Sequence, residues 1–573
     1  MKVKIFIEYA REFAKQSKEF SEYINQRFWS SRDKDTADID ISMLSNKELS
    51  AFREFLKVKL NSGDQSVNGA VQRVAAYVEI KQDPGKYTVK NLNDLSAALK
   101  EYIADKSERR WLFRMADDNM KLPYLVTSII YTPAKNDGGY VTPACTKVSM
   151  SYTRLDTAKS AEIYFHDQDL KLPGSAKLNN SNVQMLLEAK GYMVGIDSIC
   201  KEYDKEMEIF LKYRDQIGEQ FTASGIGFDI DSYRYDSKAI LLNTDGIYHR
   251  LVVDEPTSRT LDGDAFVSAG FWERDADATF RVPVHPYIKM FNLRTHTGMS
   301  VHTSTLAEYV YTPELINKLV LDVEVKELVE ILGNGTREGL GDIIKGKAEG
   351  IIIGCVGPSG LGKSLTAEVY SEFLRRPLYT VQCAQLGTNP NELEKKLVEV
   401  LNRASRWRAV LLLDEADVYI RARGEDLLQN AIVGVFLRVL EYYPGVLFMT
   451  SNVVNLDDAI ESRMAAKIVY KYPIPEQLRD IWGIQLESHG WDSKKYIKIA
   501  EQVMEKYPIM AGRDVRSILK LATLLCRFRK VELTYDILMH ASKFGTFDKE
   551  RKAISIQEYT DMMQKRKKQN AEN

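Results

Sequence analysis

Apolar residues recur at intervals of three and four through Phe6, Ala10, Phe13 and Phe20, and again through Leu95, Leu99 and Tyr102. That period stacks them on one face of an α-helix, so residues 1–110 read as a helical region. The period changes after Leu122. Residues 124–131 and 146–152 are rich in β-branched and aromatic side chains and are bounded by Pro, Asn, Asp and Gly, the pattern of strands. Helical spacing returns from Asn182 to Tyr213. Residues 239–242 and 248–253, joined through Asn243-Thr-Asp-Gly246, read as a β-hairpin. β character resumes from Thr279 to Tyr311, and residues 313–333 form a helical link. Residues 111–330 thus read as an α+β domain, with no internal repeat.

From Gly350 the pattern becomes strand, helix, strand, helix, which predicts an α/β fold with a parallel sheet flanked by helices. The apolar run Ile351-Ile-Ile-Gly-Cys-Val356 leads into Gly357-Pro-Ser-Gly-Leu-Gly-Lys-Ser364, and a helical pattern follows from Leu365. This is the strand–loop–helix context of a phosphate-binding P-loop. Glycines let backbone N–H groups curl around an anion, and the helix N-terminus adds its positive dipole end. Gly357, Pro358, Ser359, Gly360, Leu361, Gly362, Lys363, Ser364 and Leu365 are therefore the candidate triphosphate cradle. Lys363 reaches the β- and γ-phosphates, and Ser364 offers its hydroxyl to Mg²⁺.

Further on, Ala409-Val-Leu-Leu-Leu-Asp-Glu-Ala-Asp417 has the continuous apolar run of a strand buried on both faces. Its carboxyl end delivers two acids to the crevice where ligands bind in such sheets. Asp414 is placed to hold Mg²⁺ through water, and Glu415 to polarise the attacking water. The next strand candidate, 445–450, runs into Asn452, whose amide can orient that water without competing for its proton. Arg463 closes a short helical stretch; its guanidinium can meet a γ-phosphate bidentately, although taken alone a surface arginine is the better reading.

Composition narrows the setting. The 573 residues exceed what one core can organise, so several domains are expected. The chain has 79 basic and 80 acidic residues, a net charge of −1, so no global field draws it to nucleic acid or an anionic membrane. Five scattered cysteines form neither a disulfide framework nor a metal cluster, which suits a reducing cytoplasm. No run is long and apolar enough for a membrane span, and the N-terminus is not that of a signal peptide. His285, His296 and His302 share one β-rich stretch but read as separate histidines, not as a metal site. Lys565-Arg-Lys-Lys568 reads as part of a solvated tail.

The order of the motifs resembles the AAA+ ATPases. The P-loop, the D-E-A-D form of the acidic motif at 414–417, a sensor at Asn452 and an arginine finger at Arg463 follow in the family's sequence. Gly512-Arg-Asp-Val-Arg516 is similar to the second sensor of a small helical lid, with Arg513 facing the nucleotide. Leu340-Gly-Asp-Ile-Ile344 stands where the family cradles adenine, which implies contacts from Asp342 and Ile343. The stretches 379–387, 417–424 and 429–440 are similar to bacterial and phage AAA-family ATPases, and the similarity extends upstream to His285-Pro-Tyr and to Tyr309-Val-Tyr-Thr-Pro313. Two departures stand out: residues 385–390 carry Leu386-Gly387 where ring unfoldases place an aromatic pore loop, and Arg463 is followed by Met-Ala-Ala without a second arginine.

The resemblance implies a large α/β ATPase subdomain over 331–475, a helical lid over 476–545, and a polar basic tail over 546–573. It also implies a ring, usually a hexamer, in which Arg463 completes the site of a neighbouring copy. Arg421 and Arg423 either face that neighbour or solvent. The expected function is Mg²⁺-dependent ATP hydrolysis coupled to remodelling of a protein client recruited by the N-terminal half. A nucleic-acid motor or loader and an ATP-gated scaffold are the alternatives. Near-neutral charge speaks against the first and the complete acid–amide set against the second.

Overall fold

The computed structural model describes residues 2–17, 20–21, 36–41, 44–71, 74, 89, 91–137, 140–155, 157–171, 181–230, 239–244, 247–254, 266–268, 279–335, 350–441 and 443–545. They fall into two compact units, Met1–Tyr309 and Val310–Asn573.

The first unit opens with a correction to the all-helical reading of residues 1–110. Strands Lys2–Phe6 and Thr36–Asp40 pair antiparallel, because Val3 and Ile5, two residues apart, face one core. The three-and-four spacing does hold for helix Ile7–Ala14, which buries Ala10 and Phe13 against Phe20, Phe52 and Leu56. Helix Leu92–Lys106 belongs elsewhere: its Leu95 and Leu99 share a core with Val126, Val148 and Met150. That core crosses residue 110, so the helix and the following sheet form one body.

The sheet has five antiparallel strands in the order Thr157–His166, Cys145–Arg154, Lys121–Thr132, Trp111–Met115 and Tyr192–Val194. The stretch expected as one helix from Asn182 is two, Val183–Ala189 and Asp197–Tyr213, with strand Tyr192–Val194 between them. Gly191, at φ 83°, turns the chain out of the first helix. A second sheet of eight strands packs on helix Asp197–Tyr213, burying Cys200, Tyr203, Met207 and Phe210 with Leu251, Met290 and Val301.

The expected hairpin is also corrected. Ala239–Leu241 pairs with Ile226–Asp229, and only the short strand Asn243–Thr244 pairs with Ile247–Val253. His285 Nε2 lies 2.9 Å from the Pro123 carbonyl and His302 Nδ1 2.7 Å from Ser304 Oγ. Among the described residues no group of three His, Cys, Asp or Glu side chains is placed to hold a metal.

The second unit begins at Val310, not at residue 331. Ile316, Leu321 and Val325 pack against the core that holds Ile353, Tyr370 and Phe448, so the helical link is part of the sheet's own covering. The sheet is wholly parallel, in the order Leu378–Gln382, Val410–Asp414, Val446–Ser451, Ile351–Val356 and Ala466–Val469. Helices Lys363–Leu374, Pro390–Arg406 and Leu427–Leu440 connect successive strands. Four further helices, Pro475–Ser488, Ser493–Lys506, Gly512–Arg529 and Tyr535–Ser542, enclose a separate core around Trp482, Val515 and Leu519. No helix among the described residues is long and apolar enough to cross a membrane.

Candidate active site

Strand Ile351–Val356, next to the sheet's edge, ends in a loop whose backbone only glycine accommodates. Gly357, Gly360 and Gly362 have φ of 139°, 85° and 95°. A Cβ on Gly357 would stand 2.4 Å from the Tyr470 carbonyl oxygen, whereas one on Gly362 would meet nothing within 4 Å. The loop is thus backed by the edge strand and open in front, at the N-terminus of helix Lys363–Leu374. Tyr470 fastens the two sides: its N–H donates to the Val356 carbonyl at 2.7 Å and its hydroxyl to Thr366 Oγ1 at 2.7 Å.

Lys363 lies under the loop. Its ammonium donates to the carbonyls of Gly357 at 2.6 Å and Pro358 at 2.9 Å, and to Asn452 Oδ1 at 2.9 Å. Burial holds its pKa below the usual lysine value, and the Arg513 charge acts in the same direction, against the pull of Asp417 and Asp414. Ser364 Oγ donates to Asp414 Oδ1 at 2.7 Å. A hydroxyl beside a carboxylate at the mouth of a phosphate loop is an oxygen-donor pair of the kind Mg²⁺ prefers, so the residues fit the cation.

Asp414 ends its strand, and Glu415 turns the chain with φ at 56°, a left-handed conformation that costs a non-glycine residue about 1 kcal/mol or more. Thr450, buried on the adjacent strand, holds that turn. Its hydroxyl donates to Asp414 Oδ1 at 2.6 Å and accepts the Glu415 N–H at 3.0 Å. Glu415 is left exposed at the mouth. Asp417 does the same for the amide: it accepts the Asn452 N–H at 2.8 Å and faces Asn452 Nδ2 at 3.5 Å, while Ser451 Oγ also donates to it. With Nδ2 turned to Asp417, Oδ1 points at Lys363.

Motif reading passed over Thr450 and Asp417. The last acid of the D-E-A-D quartet was visible, but its hydrogen bonds to Asn452 and Ser451 were not. Thr450→Val removes the hydroxyl that braces both acids. It is expected to lower any ATP turnover about tenfold or more and to cost about 1–3 kcal/mol of stability, with nucleotide affinity nearly unchanged. Steady-state turnover, thermal melting and a nucleotide titration separate these effects.

Arg513 reaches the loop from the N-terminus of helix Gly512–Arg529, donating from Nη1 to Ser359 Oγ at 2.8 Å and from its backbone N–H to the Gly360 carbonyl at 3.2 Å. The helical bundle therefore touches the phosphate loop directly. Arg463 stays apart. It is exposed just past helix Asp458–Glu461 and donates to the Ala459 carbonyl at 3.0 Å. Arg423 pairs with Asp457, the N-cap of that helix, at 2.7 Å. Burial would raise the Asp457 carboxyl, but the hydrogen bond and charge of Arg423 outweigh it and hold it below the usual range. Arg421 bridges to Leu456 on the same side.

Among the remaining loop residues, Pro358 and Leu365 are exposed and Leu361 packs toward the sheet core. In the segment 385–390, Leu386 is buried, and the Tyr419 hydroxyl is shared between the Cys383 and Gly387 carbonyls at 2.8 and 2.6 Å. Asp342 and Ile343 lie outside the described residues, as does the tail 546–573.

A phosphate loop at the end of Ile351–Val356 in a wholly parallel sheet, with two acids at the end of Val410–Asp414 on the far side of Val446–Ser451, defines the P-loop NTPase α/β fold. Residues 353–472 match the family model "ATPase family associated with various cellular activities (AAA)", and over that stretch the chain is an AAA ATPase domain. A 26S proteasome regulatory subunit homolog of Methanothermobacter marburgensis is 25% identical over 177 residues, 29% of this chain and 47% of the relative. The chain thus spans about half the length of the curated relative it matches. A chain in a solved structure from E. coli MS115-1, titled as a HORMA:CdnC:Trip13 complex, shares 18% identity at a TM-score of 0.32, covering 41% of this chain and 92% of that one.

Proposed function

We propose that the chain is a Mg²⁺-dependent ATPase that works as a ring of its own copies, six by the family expectation, and reshapes or disassembles a protein client in the cytoplasm. The observation that carries this reading is the hydrogen-bonded convergence of Lys363, Ser364, Asp414 and Asn452 at the mouth of the parallel sheet, with Glu415 beside them.

In the reaction, a water oxygen bonds to the γ-phosphorus while the bond to the β-phosphate oxygen breaks, giving ADP and phosphate. Glu415 takes the water's proton, and the Asn452 amide orients the water. The loop N–H groups and Lys363 balance charge on the β- and γ-oxygens, for which Lys363 must exchange its contacts with loop carbonyls for phosphate. Mg²⁺, held by Ser364 and through water by Asp414, adds charge neutralisation when bound. Arg513 couples nucleotide state to the helical bundle through Ser359 and Gly360.

An exposed Arg463, tied to its own helix and not to its own phosphate loop, suits a finger that serves a neighbouring copy. Mixing supplies the test. Arg463→Ala and Glu415→Gln subunits are each expected to be inactive alone and to recover turnover when combined in rings shown to contain both. Recovery requires an interface that pairs an intact Arg463 with an intact Glu415. If verified mixed rings never exceed either parent, the finger does not act between subunits.

A further inference from the structure

Two arginines of the Met1–Tyr309 unit, Arg114 and Arg154, make no ion pair among the described residues. Arg114 pairs across the five-stranded sheet with Leu122 on one side and Tyr192 on the other. The register Leu125↔Ser151, continued by one residue, sets Tyr124 beside Tyr152, and Arg154 follows Tyr152 by two residues on the same face of its strand. Arg114, Tyr124, Tyr152 and Arg154 therefore share one face of the sheet. The two tyrosine rings meet edge to face at 4.9 Å, confirming that juxtaposition.

Each guanidinium lies over an aromatic floor. Arg114 stands 5.6 Å from the Tyr192 ring, and Arg154 stands 4.3 Å from Tyr287 and 5.5 Å from Phe228. Among the described residues neither arginine makes an ion pair or a hydrogen bond, and the Tyr124 and Tyr152 hydroxyls have no hydrogen-bond partner. Both phenols feel both positive charges. His285 stacks behind Tyr152 at 4.3 Å, and burial keeps that imidazole neutral. The carboxyl that faces Arg154, Asp118, is already bonded by the Tyr287 hydroxyl at 2.6 Å, and burial pushes it toward its neutral form.

Two fixed positive charges and two free hydroxyl donors on a low-dielectric aromatic floor suit an anion. A carboxylate brings one charge and two oxygens. A phosphate monoester brings nearly two charges and three oxygens, which match both guanidiniums and both phenols. We propose that Arg114, Tyr124, Tyr152 and Arg154 bind the phosphate group of a small phosphomonoester. The site lies outside the AAA domain and stands whether or not the chain hydrolyses ATP.

Isothermal titration of the full-length chain with phenyl phosphate, in the presence of saturating Mg·ADP to occupy the nucleotide loop, tests it. Saturable binding is expected. Arg114→Gln and Arg154→Gln should each weaken it about tenfold or more, and Tyr152→Phe several-fold. Phenyl sulfate and benzoate, each carrying one charge, should bind markedly less tightly. Arg114 is exposed, so its variant is expected to keep the melting temperature of the parent and to decide the matter if Arg154→Gln does not fold. Absence of saturable binding, unchanged affinity in Arg114→Gln, or benzoate binding as tightly as phenyl phosphate would overturn the assignment.

Discussion

Phosphate release by Glu415→Gln is expected to fall about 10²–10⁴-fold, the usual contribution of a general base, while Mg·ATP affinity and self-association stay as in the parent. The substitution changes one atom's chemistry and leaves the rest. Glutamine tolerates the same left-handed turn, and the Thr450 hydroxyl still accepts the backbone N–H of residue 415. Asp414 and Ser364, which fit the cation, are untouched. A loss confined to turnover therefore isolates the side-chain carboxylate. Single-turnover phosphate release, read beside a nucleotide-binding curve, provides the check. Near-parental turnover would remove Glu415 as the base and shift attention to Asp417, the other acid at the same strand end.

The second large effect is expected in Lys363→Ala, with ATP affinity lowered by at least about 10²-fold. Losing charge-assisted contacts of about 1.5–3 kcal/mol each to two phosphates accounts for that size. The ammonium also organises the site before any phosphate arrives, because it joins the Gly357 and Pro358 carbonyls to the Asn452 side chain. Its removal should loosen the loop as well as discharge it. Equilibrium binding of a fluorescent ATP analogue measures the change, with thermal melting to confirm that the parallel sheet survives. Retention of tight binding would contradict the P-loop assignment itself.

Residues close in sequence made the nucleotide site legible. The glycine spacing, Lys363 and Ser364 lie within one loop, and Asp414 and Glu415 are adjacent, so motif and strand pattern sufficed to expect the parallel sheet. The bracing contacts were not legible. Thr450 meets Glu415, and Asp417 meets Asn452, only because two strands distant in sequence are neighbours in the sheet. In the first unit, the alternation of Val3 and Ile5 is too short to stand out beside the helical spacing that follows it. The hairpin was misread because Ala239–Leu241 and Asn243–Thr244, nearly contiguous, pair with different partners. The pairing of Arg114 and Arg154 with aromatic rings belongs to the same class, since four separate strands contribute to it.

The most direct measurement is inorganic phosphate release from ATP by the purified full-length chain, with Mg²⁺ and at concentrations that permit self-association, alongside ATP retention on the same sample. The expected result is Mg²⁺-dependent release that rises with assembly and vanishes in both Glu415→Gln and Lys363→Ala, with ATP retained only in the first of these. A parent chain that neither retains ATP nor releases phosphate under those conditions would contradict the account.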